Sequence, residues 1–353
     1  MKMHLFGKPR GKDFGMGDLK RVLSGEEFLV FDGAFGTMLQ QRGLLVAGEL
    51  PELLCLSNPQ AVVDIHRAYV EAGSQVATTN TFGANAVKLD GAAEVGEVFA
   101  AAVKCARDSG ARYVAADVGP TGELMSPMGD LTFSEAYDLF AEQGRAAQAA
   151  GADFVIVETM ADLLEAATAV IALQDSCSLP VFASMTFTAS GRTFLGTAPR
   201  EAALALNMLG VDALGVNCSA GPADLQPVVA EMLEVASCPV IVQANAGLPE
   251  VVDGKTTYAM TPDEYAAAVL PMIEAGAGIV GGCCGTTPDC IREVVLLLEG
   301  RTPVARMLDP DRVMQLAREA VEGGGRDAEL LEMVLDAADR DALKHALVEE
   351  FDD

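Results

Sequence analysis

Apolar, β-branched runs recur along the chain, each ending in or close to Gly, Asn, Asp or Thr. Each is followed by an alanine-rich stretch whose apolar positions repeat with helical spacing. Eight such runs predict strands: Phe28–Gly33, Val76–Phe82, Tyr113–Pro120, Phe154–Met160, Pro180–Phe187, Ala213–Ser219, Pro239–Gly247 and Ala277–Cys284. The stretches between them predict helices over Pro59–Ala72, Glu94–Ser109, Phe133–Ala150, Asp162–Gln174, Pro199–Leu209, Asp224–Ala236, Thr261–Ala275 and Pro288–Leu298. Near-continuous apolar strands fit a parallel sheet covered on its outside, and eight strand–helix units predict closure into a (β/α)8 TIM barrel. A doubly wound open sheet is the alternative arrangement.

Helix starts carry their own signals. Thr132 precedes the Phe133 helix, while Thr261-Pro262-Asp263-Glu264 and Thr287-Pro288-Asp289 place Pro at the first helical position behind a hydroxyl. Beyond Pro303 the pattern predicts two short acidic helices, Asp311–Glu322 and Ala328–Glu350, around a Gly323-Gly324-Gly325 break. The expected organisation is therefore a barrel over residues 1–305 and an acidic helical tail over 306–353.

Composition narrows the function. At 353 residues and 50% hydrophobic content, the chain can bury a large core. It has no uncharged apolar stretch of membrane-spanning length, and Met1 to Lys20 lacks the apolar segment of a signal peptide. Eight cysteines outside any small disulfide-rich format point to a reducing, cytoplasmic setting with free thiols. A net charge of −27 opposes contact with a phosphate backbone, which excludes nucleic acid as an expected partner. From Met307 onward fourteen acidic and five basic residues make the tail a distinct unit in composition.

Barrel enzymes assemble their sites at the C-terminal ends of strands. The polar residues expected there are Asp32, Thr79-Asn80-Thr81, Glu158-Thr159, Asn217-Cys218, Asn245 and Cys283-Cys284. Cys283 and Cys284 are adjacent and enclosed by glycines, and neighbouring residues on a strand point to opposite faces. They can share one ion only where the strand breaks into a loop, which the glycines permit. With Cys218 they form a candidate three-thiolate zinc site with one open coordination position. Cys55, Cys105, Cys177, Cys238 and Cys290 read as packing or surface residues. The three histidines, His4, His66 and His345, all lie away from strand ends, so a histidine-rich hydrolytic zinc has no ligands here. Three thiolates make zinc a poor activator of water and a suitable holder of a fourth sulfur. They would lower a substrate thiol's pKa from roughly 8.5 while leaving it nucleophilic, which favours alkyl transfer.

Asp32, in Asp32-Gly33-Ala34-Phe35-Gly36-Thr37, and Glu158 end apolar strands. Each could cap a local turn, or the pair could hold an ammonium while amides of the glycine-rich turn take a carboxylate. That turn lacks the spacing of a nucleotide-binding loop. Thr79, Asn80 and Asn245 read equally as buried hydrogen-bonding residues or substrate contacts, and Arg192 and Lys255 read as solvated loop residues.

Seven strings together resemble the homocysteine S-methyltransferase family, in particular the homocysteine-binding barrel of the cobalamin-dependent methionine synthases. They are Asp32-Gly33-Ala34-Phe35-Gly36-Thr37-Met38-Leu39-Gln40, Thr79-Asn80-Thr81-Phe82-Gly83-Ala84-Asn85, Val118-Gly119-Pro120-Thr121-Gly122, Val157-Glu158-Thr159-Met160, Gly215-Val216-Asn217-Cys218-Ser219-Ala220-Gly221-Pro222, Asn245-Ala246-Gly247-Leu248-Pro249 and Gly281-Gly282-Cys283-Cys284-Gly285-Thr286-Thr287-Pro288. The resemblance implies a zinc-holding (β/α)8 barrel with Cys218, Cys283 and Cys284 as ligands and catalytic centre, and homocysteine sulfur as the added ligand. It implies Asp32 and Glu158 on the substrate amino group, the amides of Gly33, Ala34, Phe35, Gly36 and Thr37 on its carboxylate, and Asn217 among the substrate-binding residues. Asn245 is implied as a zinc ligand while the substrate is away.

Only the acidic tail is expected to follow the barrel, without a methyltetrahydrofolate, cobalamin or reactivation domain. The expectation is that the methyl group arrives on a separate methyl-corrinoid (methyl-cobalamin) protein and is attacked in line by the thiolate, with no general base at the methyl carbon. The tail then either docks that partner or solubilises the barrel. Three alternatives stay open: another thiol acceptor such as coenzyme M or methanethiol, a betaine or S-methylmethionine donor, or a non-catalytic zinc-binding subunit of a methyltransferase complex.

Overall fold

The computed structural model describes residues 19–45, 48–252, 255–304, 308–324 and 327–352. The expectations on Met1 to Lys20 and His4 therefore lie almost wholly outside the described residues, as do Gly325 and the boundary at 305/306.

All eight expected strands form, at Leu29–Val30, Val76–Thr78, Tyr113–Val118, Phe154–Met160, Val181–Met185, Ala213–Asn217, Val240–Ala244 and Ile279–Gly282; they are called first to eighth below. Every pairing among them is parallel, and the sheet runs from the first strand through the eighth and back down to the second. Between first and second strands no ladder forms, and Gln75 bridges the seam through its backbone and its side chain. Gln75 donates its backbone N–H to Val30 O at 2.8 Å, and its Oε1 accepts from Val30 N at 2.9 Å. The result is a nearly closed (β/α)8 barrel, as expected from the repeat.

Alternation along the strands explains both layers of core. Leu29, Phe31, Phe154, Ile156, Phe182 and their inward neighbours fill the barrel interior, with Phe154 and Phe182 stacked at 4.5 Å. Residues of the opposite parity pack outward into the helical shell. Continuing the inward parity toward the C-terminal ends, the interior turns polar: Asp117, Glu158, Ser184, Asn217 and Gln243.

The eight expected helices also form, each end within three residues of its expected place. Thr132 makes a capping box with Glu135, and Thr261 one with Glu264. Thr287 makes no cap bond; its hydroxyl pairs instead with Cys290 Sγ at 3.6 Å. A short helix, Gly36–Gln41, follows the first strand. Lys255, expected in a loop, opens the second strand of an antiparallel hairpin made of Pro249–Val252 and Lys255–Tyr258.

The tail differs from expectation. Its described residues form three helices, Pro310–Glu322, Ala328–Asp336 and Arg340–Phe351. The span expected as one helix breaks because Asp339, in extended conformation, turns its side chain onto Ala342 N and starts a new helix. Leu316, Leu331, Val334, Leu343 and Leu347 are buried in the same hydrophobic cluster as the barrel's outer shell. Asp175 on barrel helix Leu163–Ser176 anchors Arg340 at 2.8 Å and Lys344 at 3.0 Å.

Candidate functional site

The eighth strand ends at Gly282, and the chain turns at Cys283, so the two cysteines leave the strict alternation of a strand as the glycines predict. Gly285 sits at φ +80°, and a Cβ there would lie 2.1 Å from Tyr258 Cγ, so only glycine fits the turn beneath the hairpin. Just past the sixth strand, Cys218 and Ser219 adopt left-handed backbone at φ +60° and +57°. Main-chain bonds lock these turns together. Cys218 N donates to Gln243 O at 3.0 Å, Cys283 N to Ala244 O at 2.9 Å, and Ala246 N to Cys284 O at 2.9 Å.

The three sulfurs of Cys218, Cys283 and Cys284 all lie within 4.8 Å of one another, with 3.8 Å between Cys218 and Cys284. Ligands at about 2.3 Å from zinc in a tetrahedron stand about 3.8 Å apart, so the donor set fits that ion. It is the only such cluster among the described residues. Charge argues the same way. Cys284 is pulled down to about 3 by hydrogen bonds from Cys218 and Cys283, with help from the Tyr258 hydroxyl. Cys218 is pushed up to about 12, its bond with Cys283 outweighed by the one with Cys284 and by burial. Cys283 is held well above the usual thiol range by its bonds to the same two residues and by burial. Crowding thus opposes ionisation of the trio as a whole, and a divalent metal held by the three sulfurs would offset that repulsion.

Asn245 lies at the end of the seventh strand, buried, and its Oδ1 has no hydrogen-bond partner among the described residues. Asp32 is buried at 4% exposure and ties down the barrel seam: its carboxylate accepts from Thr78 N at 2.8 Å and Thr78 Oγ1 at 2.7 Å. Burial raises it to about 7 against the pull of those bonds. Glu158 is partly exposed and raised to about 8 by burial, then by Asp32 and Cys284. The mutual effect puts Asp32, Glu158 and the thiols in one electrostatic neighbourhood, as the strand-end argument anticipates.

The Gly33–Thr37 turn is held from below. Ala34 N donates to Thr286 Oγ1 at 3.1 Å, and the Tyr69 hydroxyl lies 2.9 Å from Ala34 O and 3.1 Å from Thr286 O. Gly33 is tight, since a Cβ there would meet Thr286 Oγ1 at 2.5 Å. Phe35 packs on the core with its ring 5.0 Å from that of His66, Thr37 is half-buried, and Gly36 is exposed.

Asn217 is fully buried and bonded to protein: Oδ1 accepts from Thr159 N and from Ser184 Oγ, each at 2.8 Å, and Nδ2 donates to Thr159 Oγ1 at 2.7 Å. Thr79 and Asn80 are likewise used internally, by Asp117 N and by Pro51 O. His66 lies on helix Pro59–Glu71, away from any strand end as expected. It is nevertheless buried behind Asp32, Nδ1 to Oδ2 4.0 Å, and burial lowers its pKa to about 4.

Sequence reasoning passed over Tyr69, Thr286, Tyr258, His66 and Asp117. Tyr69 and His66 sit in a helix pattern that reads as ordinary core spacing. The Asp117 carboxyl, with one buried oxygen lacking a partner, sits mid-run in a strand. Thr286 was visible within the Cys-Cys-Gly-Thr-Thr-Pro string, and its hydroxyl role could have been read from the two glycines it presses against.

Comparison with known proteins follows the same line. The homocysteine S-methyltransferase family model matches residues 29–298. The methionine synthase of Mycobacterium leprae is 36% identical over 299 residues, 78% of this chain and 25% of that protein. The methionine synthase of Mycobacterium tuberculosis is 35% identical over 317 residues, 84% of this chain and 26% of that protein. The chain thus spans about a quarter of the length of these curated relatives. Among solved structures, the metallated homocysteine methyltransferase MmuM of Escherichia coli superposes with a TM-score of 0.67 at 21% identity, covering 80% of this chain and 99% of that one. Its oxidised form gives 0.65 at 22% identity, covering 76% and 96%. These likenesses show the shared barrel fold. Among the described residues, no helix is long and apolar enough to cross a membrane.

Proposed function

Because the chain belongs to the homocysteine S-methyltransferase family, we propose that it transfers a methyl group to the sulfur of homocysteine, yielding methionine. The single observation that carries this reading is the trio of free thiols within 4.8 Å of one another, in the electrostatic neighbourhood of Asp32 and Glu158. Cys218, Cys283 and Cys284 would hold zinc, and Asn245 Oδ1, otherwise unpartnered, fits a fourth ligand before substrate arrives. When bound, zinc supplies a positive charge that keeps the substrate sulfur ionised near neutral pH while leaving it nucleophilic.

The remaining work falls to the chain. Asp32 and Glu158 face the substrate ammonium, whose charge offsets the cost of ionising two crowded acids. Amides of the Gly33–Thr37 turn other than Ala34 N, which Thr286 already holds, take the carboxylate. Held at both ends, the amino acid presents its sulfur to the mouth, where a new S–C bond forms as the donor–methyl bond breaks; the thiol proton has already left to solvent. No general base is required at the methyl carbon, and orientation provides the rate.

A methyl-corrinoid carried by a partner protein is the donor we favour, because the curated relatives are methionine synthases and the motif spellings at Asn245 and Cys283 resemble that branch. A reducing compartment such as the cytoplasm suits eight free cysteines. The test uses zinc-loaded protein, L-homocysteine and methylcobalamin, with methionine formation and bound zinc measured together. Cys283→Ser should lose both. A variant that retained metal and turnover would overturn the thiol-centred mechanism.

A further inference from the structure

At the end of the fourth strand the ladder slips. Val157 pairs with Ala183 and Met160 with Met185, so three steps on one strand match two on the other, and Glu158 and Thr159 form a β-bulge. Thr159 sits there at φ +62°, in left-handed backbone that a β-branched residue adopts only under constraint. Asn217 supplies that constraint. From the sixth strand it reaches across the fifth, where Ser184 Oγ donates to its Oδ1. Its amide then clasps Thr159 twice, through the backbone N–H and the side-chain hydroxyl. The next residue after Asn217 is Cys218, itself left-handed at φ +60°.

We propose that Asn217 is a positioning residue that touches no substrate: its amide pins the Thr159 bulge and thereby aims Glu158 into the mouth, linking the amino-group contact to the thiol loop that Asn217 leads into. This departs from its expected place among the substrate contacts, since the residue is completely buried and its oxygen and one N–H are bonded to protein. The inference rests on the reading of Glu158 as the acid that meets the homocysteine ammonium. A bulge of this kind re-aims one side chain, so losing the clasp should misdirect Glu158 while the sulfurs keep their own main-chain ties through Gln243, Ala244 and Ala246.

The experiment uses the full chain loaded with zinc, as parent, Asn217→Ala, Thr159→Gly and the double variant. Affinity is measured for L-homocysteine and for 4-mercaptobutanoate, which keeps the thiol and carboxylate and lacks the amino group. Asn217→Ala should weaken homocysteine about tenfold or more, leave 4-mercaptobutanoate within about threefold, and keep zinc near one equivalent. Adding Thr159→Gly should recover most of the homocysteine affinity, because glycine holds positive φ without a clasp. Equal losses for both thiols, unchanged homocysteine affinity, or no recovery would overturn the proposal. Thermal melts of the four proteins judge it without substrate: the Tm loss from Asn217→Ala must be larger with Thr at 159 than in the T159G background, and additive losses would refute the clasp. If the parent binds neither thiol, the functional reading fails while this melt cycle still decides the role of Asn217.

Discussion

Glu158→Gln isolates the cost of keeping an acid in the barrel mouth. Its pKa is raised from 4.5 to about 8, with burial the largest cause, so the folded protein holds a proton that the unfolded chain has released. The sign follows from proton counting: below pH 4.5 both states are protonated and nothing is lost. Between pH 4.5 and about 8 stability falls as pH rises, and above that the loss is constant. Moving the pKa across that window corresponds to about 5 kcal/mol, at about 1.4 kcal/mol per pH unit. Solvent at the partly exposed mouth screens part of it, leaving about 2–3 kcal/mol. Glutamine keeps the shape and removes the charge. Thermal unfolding of substrate-free, zinc-loaded protein should give matching Tm values at pH 5. At pH 9 the variant should be higher by about 5–10 °C, at about 2–4 °C per kcal/mol for a domain of this size. Adding L-homocysteine at pH 9 should raise the parent's Tm by more than the variant's, because only the ionised acid gains from an ammonium while the sulfur and carboxylate contacts are shared. Parallel Tm curves from pH 5 to 9 would refute the premise that this carboxyl is stored uncharged.

Asp32 should separate its two duties by substitution. Asp32→Asn can still accept from Thr78 N while its amide donates to the Thr78 hydroxyl, so stability at pH 5 should stay within about 1 kcal/mol as homocysteine affinity falls. Asp32→Ala, which strands both Thr78 donors, should cost about 2–3 kcal/mol in denaturant unfolding. Gly285→Ala must move the Tyr258 ring off a Cβ placed 2.1 Å away and hold alanine at φ +80°. It should cost about 2–5 kcal/mol and speed zinc loss to a chelator, read by melts and a zinc-dye assay. Tyr69→Phe leaves Ala34 O and Thr286 O without their shared hydroxyl and should destabilise by about 1–3 kcal/mol in urea titration.

Fold and chemistry were not equally legible. The eight strands could be read because each is buried on both faces, so the apolar run is nearly unbroken and bounded by turn residues. The Pro249–Tyr258 hairpin was missed because it lies outside the barrel, and Val251, exposed at 77%, buries no stripe to reveal it. The tail helices were found by periodicity, but the break at Asp339 was lost because two alanines before it read as helix. Asp339 stands just ahead of the new apolar period, where its side chain caps Ala342 N. That the tail is built into the outer shell rather than set apart is a packing fact that no charge count reveals: Asp175 lies far upstream of the Arg340 and Lys344 it holds.

In the site, residue identity was visible and residue duty was not. Four described residues other than glycine adopt positive φ, and three of them, Thr159, Cys218 and Ser219, cluster at this mouth. Such backbone costs about 1–2 kcal/mol per residue and persists only where neighbours enforce it. The enforcing bonds come from positions remote in sequence: Asn217 for Thr159, Gln243 for Cys218, and Ala244 for the Cys283 turn. A string such as Val-Asn-Cys-Ser therefore announces a thiol at a strand end without saying that the asparagine before it faces inward to another strand's bulge. Spacing identifies which atoms can do chemistry; the ties that hold them in a strained arrangement are long-range, and it is those ties that turn three scattered cysteines and two acids into one site.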